Sequence, residues 1–202
     1  MADETKITLS EEELKVVNDT HWILTKHAVT NKIYELFNEQ VPLIRKTFDR
    51  QNGLYPEKLA FALPKISRGE NYRGLPYVML DYPALFEKDQ IFAVRTMLWW
   101  GNFISVTLLL SGGYKDMFSK VIRKHCIESP IDLFICVHDD PWEHHFDNSN
   151  YIQLKSISEK ELDLILEEKN FLKLAIKIDL SQFNQIGSLM EAAYLKIVSL
   201  LL

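Results

Sequence analysis

Residues 91–110, IFAVRTMLWWGNFISVTLLL, constrain the fold more than any other part of this chain. The run is almost long enough and apolar enough to suggest a membrane span. Arg95, Gly101 and Asn102 interrupt it, and β-branched and aromatic side chains dominate it, so it reads as two strands. Gly101-Asn102 between them, with glycine first in a two-residue loop, predicts a type II′ hairpin. That register pairs Trp100 with Phe103 and Thr96 with Thr107. The hairpin is the expected centre of an antiparallel sheet.

Two further strand-like segments, 59–66 and 75–82, precede the hairpin. A polar stretch with two glycines and two arginines, Ser67 to Gly74, reads as the loop between them. Upstream, Ser10 with Glu13 forms a capping box. Trp22, Val29, Ile33, Leu36, Phe37, Val41, Ile44 and Phe48 recur at helical spacing, with Pro42 expected to kink or split that helix near Gln40 and Gln51-Asn52-Gly53 to end it. Downstream the pattern predicts a helix over 114–127, strands over 131–137 and 151–157, and a short helix capped by Ser158. A strand over 171–178 and a final helix opened by Ser181 complete it. Strands come in a run rather than alternating with helices. The expectation is one α+β domain, 1–202, whose antiparallel sheet is covered by N- and C-terminal helices.

The last residues, Ser199-Leu200-Leu201-Leu202, are apolar to the end, so the final helix should either dock on the sheet or form a homodimer contact. A net charge of −5 and a pI near 5.7 argue against a nucleic-acid coat. Cys126 and Cys136 lack Cys-x-x-Cys spacing and read as buried thiols in a reducing compartment. The first fourteen residues have neither a basic nor an apolar leader region. Together these features predict a soluble, cytoplasmic protein with no membrane partner.

Arg95 is the anomaly of the central hairpin. In the type II′ register its cross-strand neighbours are Val106, Leu108 and Leu110. A charge in that setting is costly unless it is paired or faces a wet pocket. One reading is an arginine that reaches an edge or a structural carboxylate. The other is an anion anchor, because guanidinium holds carboxylate or phosphate bidentately. Arg68 and Arg73 lie near the preceding turn, Tyr77 supplies a hydroxyl, and Trp99 or Trp100 a flat wall. These six residues are the expected lining of a pocket for a small anionic or aromatic ligand, formed by the sheet and helices.

The segment Lys65-Ile66-Ser67-Arg68-Gly69, then Leu75-Pro76, then the apolar run 91–110, resembles the Lys-x-x-x-Arg-Gly, Leu-Pro, strand-pair pattern of the uncharacterised YktB-like bacterial proteins. The likeness covers about a quarter of the chain. Tyr72-Arg73-Gly74 stretches the spacing between Arg-Gly and Leu-Pro. The resemblance implies a mixed α+β fold and no particular reaction.

A second constellation follows the strand over 131–137. Three histidines and four carboxylates fall within residues 138–147. His138, Asp140, His144 and His145 are the candidate ligands for zinc, iron or manganese in a metal-dependent enzyme. There is no His-Glu-x-x-His motif, and a solvated acidic turn around Pro141 has the same composition. Ser111-Gly112-Gly113 joins a strand to a helix without the Walker spacing. A third reading, a protein–protein interaction partner, rests on the acidic charge and the apolar C-terminus. No cofactor is named by the sequence.

Overall fold

The hairpin lies at the centre of a larger antiparallel sheet, as its composition demands. The structure, a computed structural model, describes residues 7–49, 55–128 and 132–202. Along the chain come α1 (Glu11–Asn18), α2 (Thr20–Asp49), β1 (Lys65–Tyr72), β2 (Leu75–Phe86), β3 (Ile91–Trp99) and β4 (Phe103–Ser111). Then follow α3 (Gly113–Glu128), β5 (Phe134–Cys136), β6 (Tyr151–Gln153), α4 (Glu159–Glu168), β7 (Phe171–Asp179) and α5 (Ile186–Ser199). The strand order is β1-β2-β3-β4-β7-β5-β6, with antiparallel neighbours throughout. This is the expected α+β class, with helices from both ends of the chain on the sheet.

Both predicted capping boxes form, at Ser10/Glu13 and Ser158/Glu161. Helix α2 differs from expectation: it runs unbroken through Pro42. Pro42 and Asn38, whose carbonyl loses its amide partner, are both exposed, so water can replace the missing bond. The expected stop at 51–53 lies outside the described residues. The segment 59–66 is not a strand; Glu57–Phe61 forms a 3₁₀ turn and β1 starts only at Lys65. The expected polar loop is instead most of β1. Its turn is reduced to Arg73-Gly74, both at positive φ (50° and 81°), as a two-residue hairpin of type I′ requires. β1 is polar because it is an edge strand, where charged side chains guard unpaired backbone.

The central hairpin is shifted by one residue from the predicted register. Trp99, not Trp100, pairs with Phe103, and Arg95, not Thr96, pairs with Thr107. Gly101 sits third in a turn closed by Asn102 N–H donating to the Trp99 carbonyl, at φ +70°. A glycine with positive φ there belongs to a type II turn. Because side chains alternate, the shift changes every cross-strand neighbour of Arg95.

One face of the sheet carries the main core. Val78, Leu80, Phe92, Val94, Ile104, Val106, Leu108 and Leu174 meet α2, α3 and α5 there. Helix α5 buries Ile186, Met190, Ala193, Tyr194, Ile197 and Val198, and Tyr194 and Thr96 share a hydroxyl–hydroxyl hydrogen bond of 2.6 Å. Its apolar stripe is therefore used within the chain, leaving Leu195 and Leu202 exposed. At the strand exit before α3, Gly112 has φ +56°, and a Cβ there would lie 2.3 Å from the Asp89 carbonyl. Close backbone approach accounts for that glycine without a phosphate. No helix among the described residues is long and apolar enough to cross a membrane.

No helix of the described residues covers the other face. It is covered by residues 137–150, which cross it without regular structure. Asn150, fully buried, ties the two ends of this loop. Its carbonyl accepts from Val137 N–H at 2.8 Å, its side-chain amide donates to the His145 carbonyl at 2.6 Å, and its Oδ1 accepts from the Cys136 thiol at 3.3 Å.

Candidate functional site

The two constellations read separately in the sequence meet on this second face. Asp81 on β2, Arg95 on β3 and Thr107 on β4 lie side by side in one row of the sheet. Arg95 Nε donates to Asp81 Oδ1 at 2.6 Å and its Nη2 to Oδ2 at 3.0 Å. The loop lies over this row. His144 Nε2 is 3.5 Å from Arg95 Nη1, and the Trp142 ring lies 5.3 Å from the guanidinium carbon. Phe146 plugs the sheet beside it, stacked on Tyr151 at 4.6 Å and edge-on to Phe103 and Phe134.

Two side chains hold the loop down. The Tyr72 hydroxyl donates to Glu143 Oε2 at 2.8 Å and accepts from the backbone N–H of His144 (2.7 Å) and His145 (3.0 Å). Lys173 on β7 donates from Nζ to the carbonyls of Pro141 at 2.8 Å and Glu143 at 2.5 Å. Lys173 is only 2% exposed. Burial, reinforced by the positive charge of Arg95, pulls its ammonium down to about 8. Burial, then the charges of Lys173 and Arg95, holds His144 neutral, with its imidazole pulled down to about 2.

The predicted ligand-binding set is only partly brought together. Arg95, Tyr77 and Trp99 share this face with Tyr72, and Arg73 reaches over from the hairpin turn to Asp147 at 2.9 Å. Trp99 donates from Nε1 to the Tyr72 carbonyl at 3.2 Å, and the Tyr77 ring closes over Gly69. Arg68 pairs with Val78 of the core face and is exposed, and Trp100 packs against the main core. The two arginines at this face are already matched by carboxylates, Arg95 by Asp81 and Arg73 by Asp147 and Glu143.

The proposed metal ligands do not converge. His138 Nδ1 accepts from Asp140 N–H at 3.0 Å, and Asp140 Oδ1 accepts from Trp142 N–H at 2.8 Å. His144 faces Arg95, a cation. His145 has its ring nitrogens 3.4 Å from Glu143 Oε2 and 3.0 Å from Asp147 Oδ2. Among the described residues no group of three or more His, Cys, Asp or Glu side chains is placed to hold a metal ion.

An open cavity lies elsewhere, on the helical side. A cleft of about 460 Å³ separates the C-terminal end of α2, the 57–61 turn and β2. Phe48, Tyr55, Phe61 and Tyr82 supply aromatic walls, Arg45 the cation, and Asp49 and Glu57 two carboxylates, of which Asp49 acts electrostatically on Arg45. Arg45 Nε donates to the Tyr82 hydroxyl at 2.9 Å, and the guanidinium lies 5.9 Å from the Tyr82 ring centre. Unlike Arg73, Arg95 and Arg123, Arg45 has no carboxylate within 4 Å among the described residues. The Tyr55 hydroxyl is buried without a hydrogen-bond partner among the described residues, and burial pushes it up to about 12.

Sequence reasoning missed Lys173, Asp81 and Arg45. Asp81 carried a signal, since it is the one charge inside an otherwise apolar strand, as Arg95 is, whereas Lys173 shares its strand with Lys177 and Asp179. Arg45 carried none, because an arginine beside a helix's apolar stripe is ordinary.

No family model, curated protein or solved structure matches the chain.

Proposed function

We propose that the protein binds a small molecule with an anionic group on an aromatic or apolar body, in the cleft between α2, the 57–61 turn and β2. The observation that carries this reading is Arg45, a cation with no carboxylate within 4 Å among the described residues, at the wall of an aromatic cleft that Asp49 and Glu57 also line. The cleft volume lies in the range of small-molecule sites, and few polar groups converge there, as in such sites. Arg45 would hold the anion, its Nε bond to Tyr82 fixing the plane of the guanidinium. Phe48, Phe61 and Tyr82 would enclose the body, and the unpartnered Tyr55 hydroxyl would meet a second polar atom. The sequence-level expectation of a pocket between sheet and helices keeps its ligand class but exchanges its residues. The resemblance of the 65–110 region to YktB-like proteins adds a bacterial cytoplasm to the proposal, which the free, buried Cys126 and Cys136 support.

Titration with benzoate, phenyl phosphate and benzamide, followed by amide chemical shifts, tests this reading. Saturable shifts around Arg45, Phe48 and Tyr82 are expected with the two anions and not with benzamide. A charged hydrogen bond contributes about 1.5–3 kcal/mol, so Arg45→Gln should weaken the anions by roughly ten- to a hundredfold. Equal affinity in Arg45→Gln, or shifts confined to other surfaces, would reject it.

A further inference from the structure

The cleft beside Arg45 holds opposite charges that do not meet. Arg45 and Asp49 stand one turn apart on α2, at the four-residue spacing where a guanidinium and a carboxylate ordinarily pair. Asp49 acts on Arg45 electrostatically, yet the two groups make no contact within 4 Å. Tyr82 explains the separation. Its hydroxyl accepts from Arg45 Nε at 2.9 Å, and its ring centre lies 5.9 Å from the guanidinium carbon, so the arginine is held toward β2 and away from its helix neighbour. Glu57, the first residue of the 57–61 turn, adds a second carboxylate to the cleft. Like Asp49, it has no cation within 4 Å among the described residues.

We propose that the ligand of this cleft is a free α-amino acid with an aromatic or apolar side chain, its carboxylate held by Arg45 and its ammonium by Asp49 and Glu57. The inference rests on the cleft being the binding site, and it narrows the class of molecule bound there.

Charge separates a zwitterion from a simple anion. Of the charged side chains of the described residues that line the cleft, one is a cation and two are carboxylates. A monoanion meets Arg45 but adds to a surplus of negative charge. A zwitterion brings no net charge and offers each sign its complement. The bond to Tyr82 uses Nε alone, and among the described residues no hydrogen bond engages Nη1 or Nη2, which leaves two donor groups for a carboxylate. An ammonium has three donors, enough for both acidic side chains. The side chain of the amino acid then lies against Phe48 and Tyr82 and covers Phe61, which is 84% exposed without it.

Three probes that share one aromatic body test the proposal: L-phenylalanine, 3-phenylpropionate, which lacks the ammonium, and 2-phenylethylamine, which lacks the carboxylate. Each is titrated at pH 7 into the full chain and followed by amide chemical shifts. Phenylalanine should shift Arg45, Phe48 and Tyr82 saturably and bind roughly tenfold or more tighter than either probe, as expected for one charged hydrogen bond. Asp49→Asn with Glu57→Gln, both at exposed positions, should bring phenylalanine down to the level of 3-phenylpropionate without weakening the latter. If 3-phenylpropionate binds the cleft as tightly as phenylalanine, the ammonium site is overturned while the anion site at Arg45 stands. If 2-phenylethylamine binds as tightly, the pairing of both charges is overturned. Shifts from none of the three around Arg45 would overturn this inference and the cleft reading together.

Discussion

Asp81 and Arg95 face each other across β2 and β3, carboxylate to guanidinium through two hydrogen bonds, with 8% and 15% of their side chains exposed. That relationship turns the arginine of an apolar hairpin into half of a buried ion pair. Removing one partner from such a pair strands the other and costs about 3–5 kcal/mol, whereas replacing both by apolar groups is often close to neutral. Arg95→Met should lose about that much in urea unfolding, and Asp81→Leu with Arg95→Met should recover most of it. A single-variant loss below about 1 kcal/mol would show that water already reaches the pair.

The sheet, both capping boxes and the docked C-terminal helix were legible because each rests on local chemistry or on periodicity. The edge strand was not, since Ser67 to Tyr72 has the polar composition of a loop, and only pairing with β2 makes it a strand. Hairpin register was lost by one residue because Gly101 fits either of two turns, and the sheet chooses between them. Arg95 and the histidine loop were both visible, but 49 residues separate Arg95 from His144, and nothing in the spacing announces their meeting. The pairing of Asp81 with Arg95 was hidden for the same reason, as a cross-strand partner declares itself only once the register is known. Arg45 depends on a cleft assembled from three separate segments, which no pattern in the chain encodes.

Tyr72 should govern how firmly the loop is seated. Its hydroxyl serves three groups at once, two of them backbone N–H of the loop. Tyr72→Phe keeps the ring packed at 5.0 Å from Trp99 but leaves those donors unmet. The expected cost is about 1–3 kcal/mol. Hydrogen exchange should speed up at the His144 and His145 amides far more than at those of β3 and β4. Uniform acceleration across the protein would instead mean that the hydroxyl supports global stability rather than the loop.

His144 predicts an acid-sensitive fold. In the folded chain its imidazole is pulled down to about 2, while in the unfolded chain it titrates near 6.5. As pH falls below about 6.5 the unfolded chain takes up a proton that the folded chain refuses, so stability drops. At pH 5 the loss from this residue is on the order of 2 kcal/mol, and above pH 7 it vanishes. Lys173 acts in the same sense at the alkaline end: with its folded value lowered to about 8, it penalises folding below that pH and releases the penalty between about 8 and 10.5. Urea unfolding across pH 5–7 should show a clearly shallower slope for His144→Gln than for the parent; identical slopes would place the acid sensitivity elsewhere.

The two ends of the chain should respond oppositely to truncation. Helix α1 buries no residue, and Leu14, Val16 and Val17 are about half exposed or more. Eight residues are too few to be a stable helix without packing, so α1 is held chiefly by its capping box. Asp19 accepts the Trp22 N–H at 2.9 Å, and a chain starting at Asp19 keeps that cap on α2. Deleting residues 1–18 should therefore change unfolding free energy by no more than about 0.5 kcal/mol. Deleting residues 195–202 removes Ile197, Val198, Leu200 and Leu201, all buried beneath the sheet. At about 1.5–3 kcal/mol for each buried side chain, that loss rivals the whole stability of an ordinary domain. The first truncation should unfold cooperatively near the parent midpoint and the second should not fold; a large loss from the first would mean that α1 packs against the body in solution.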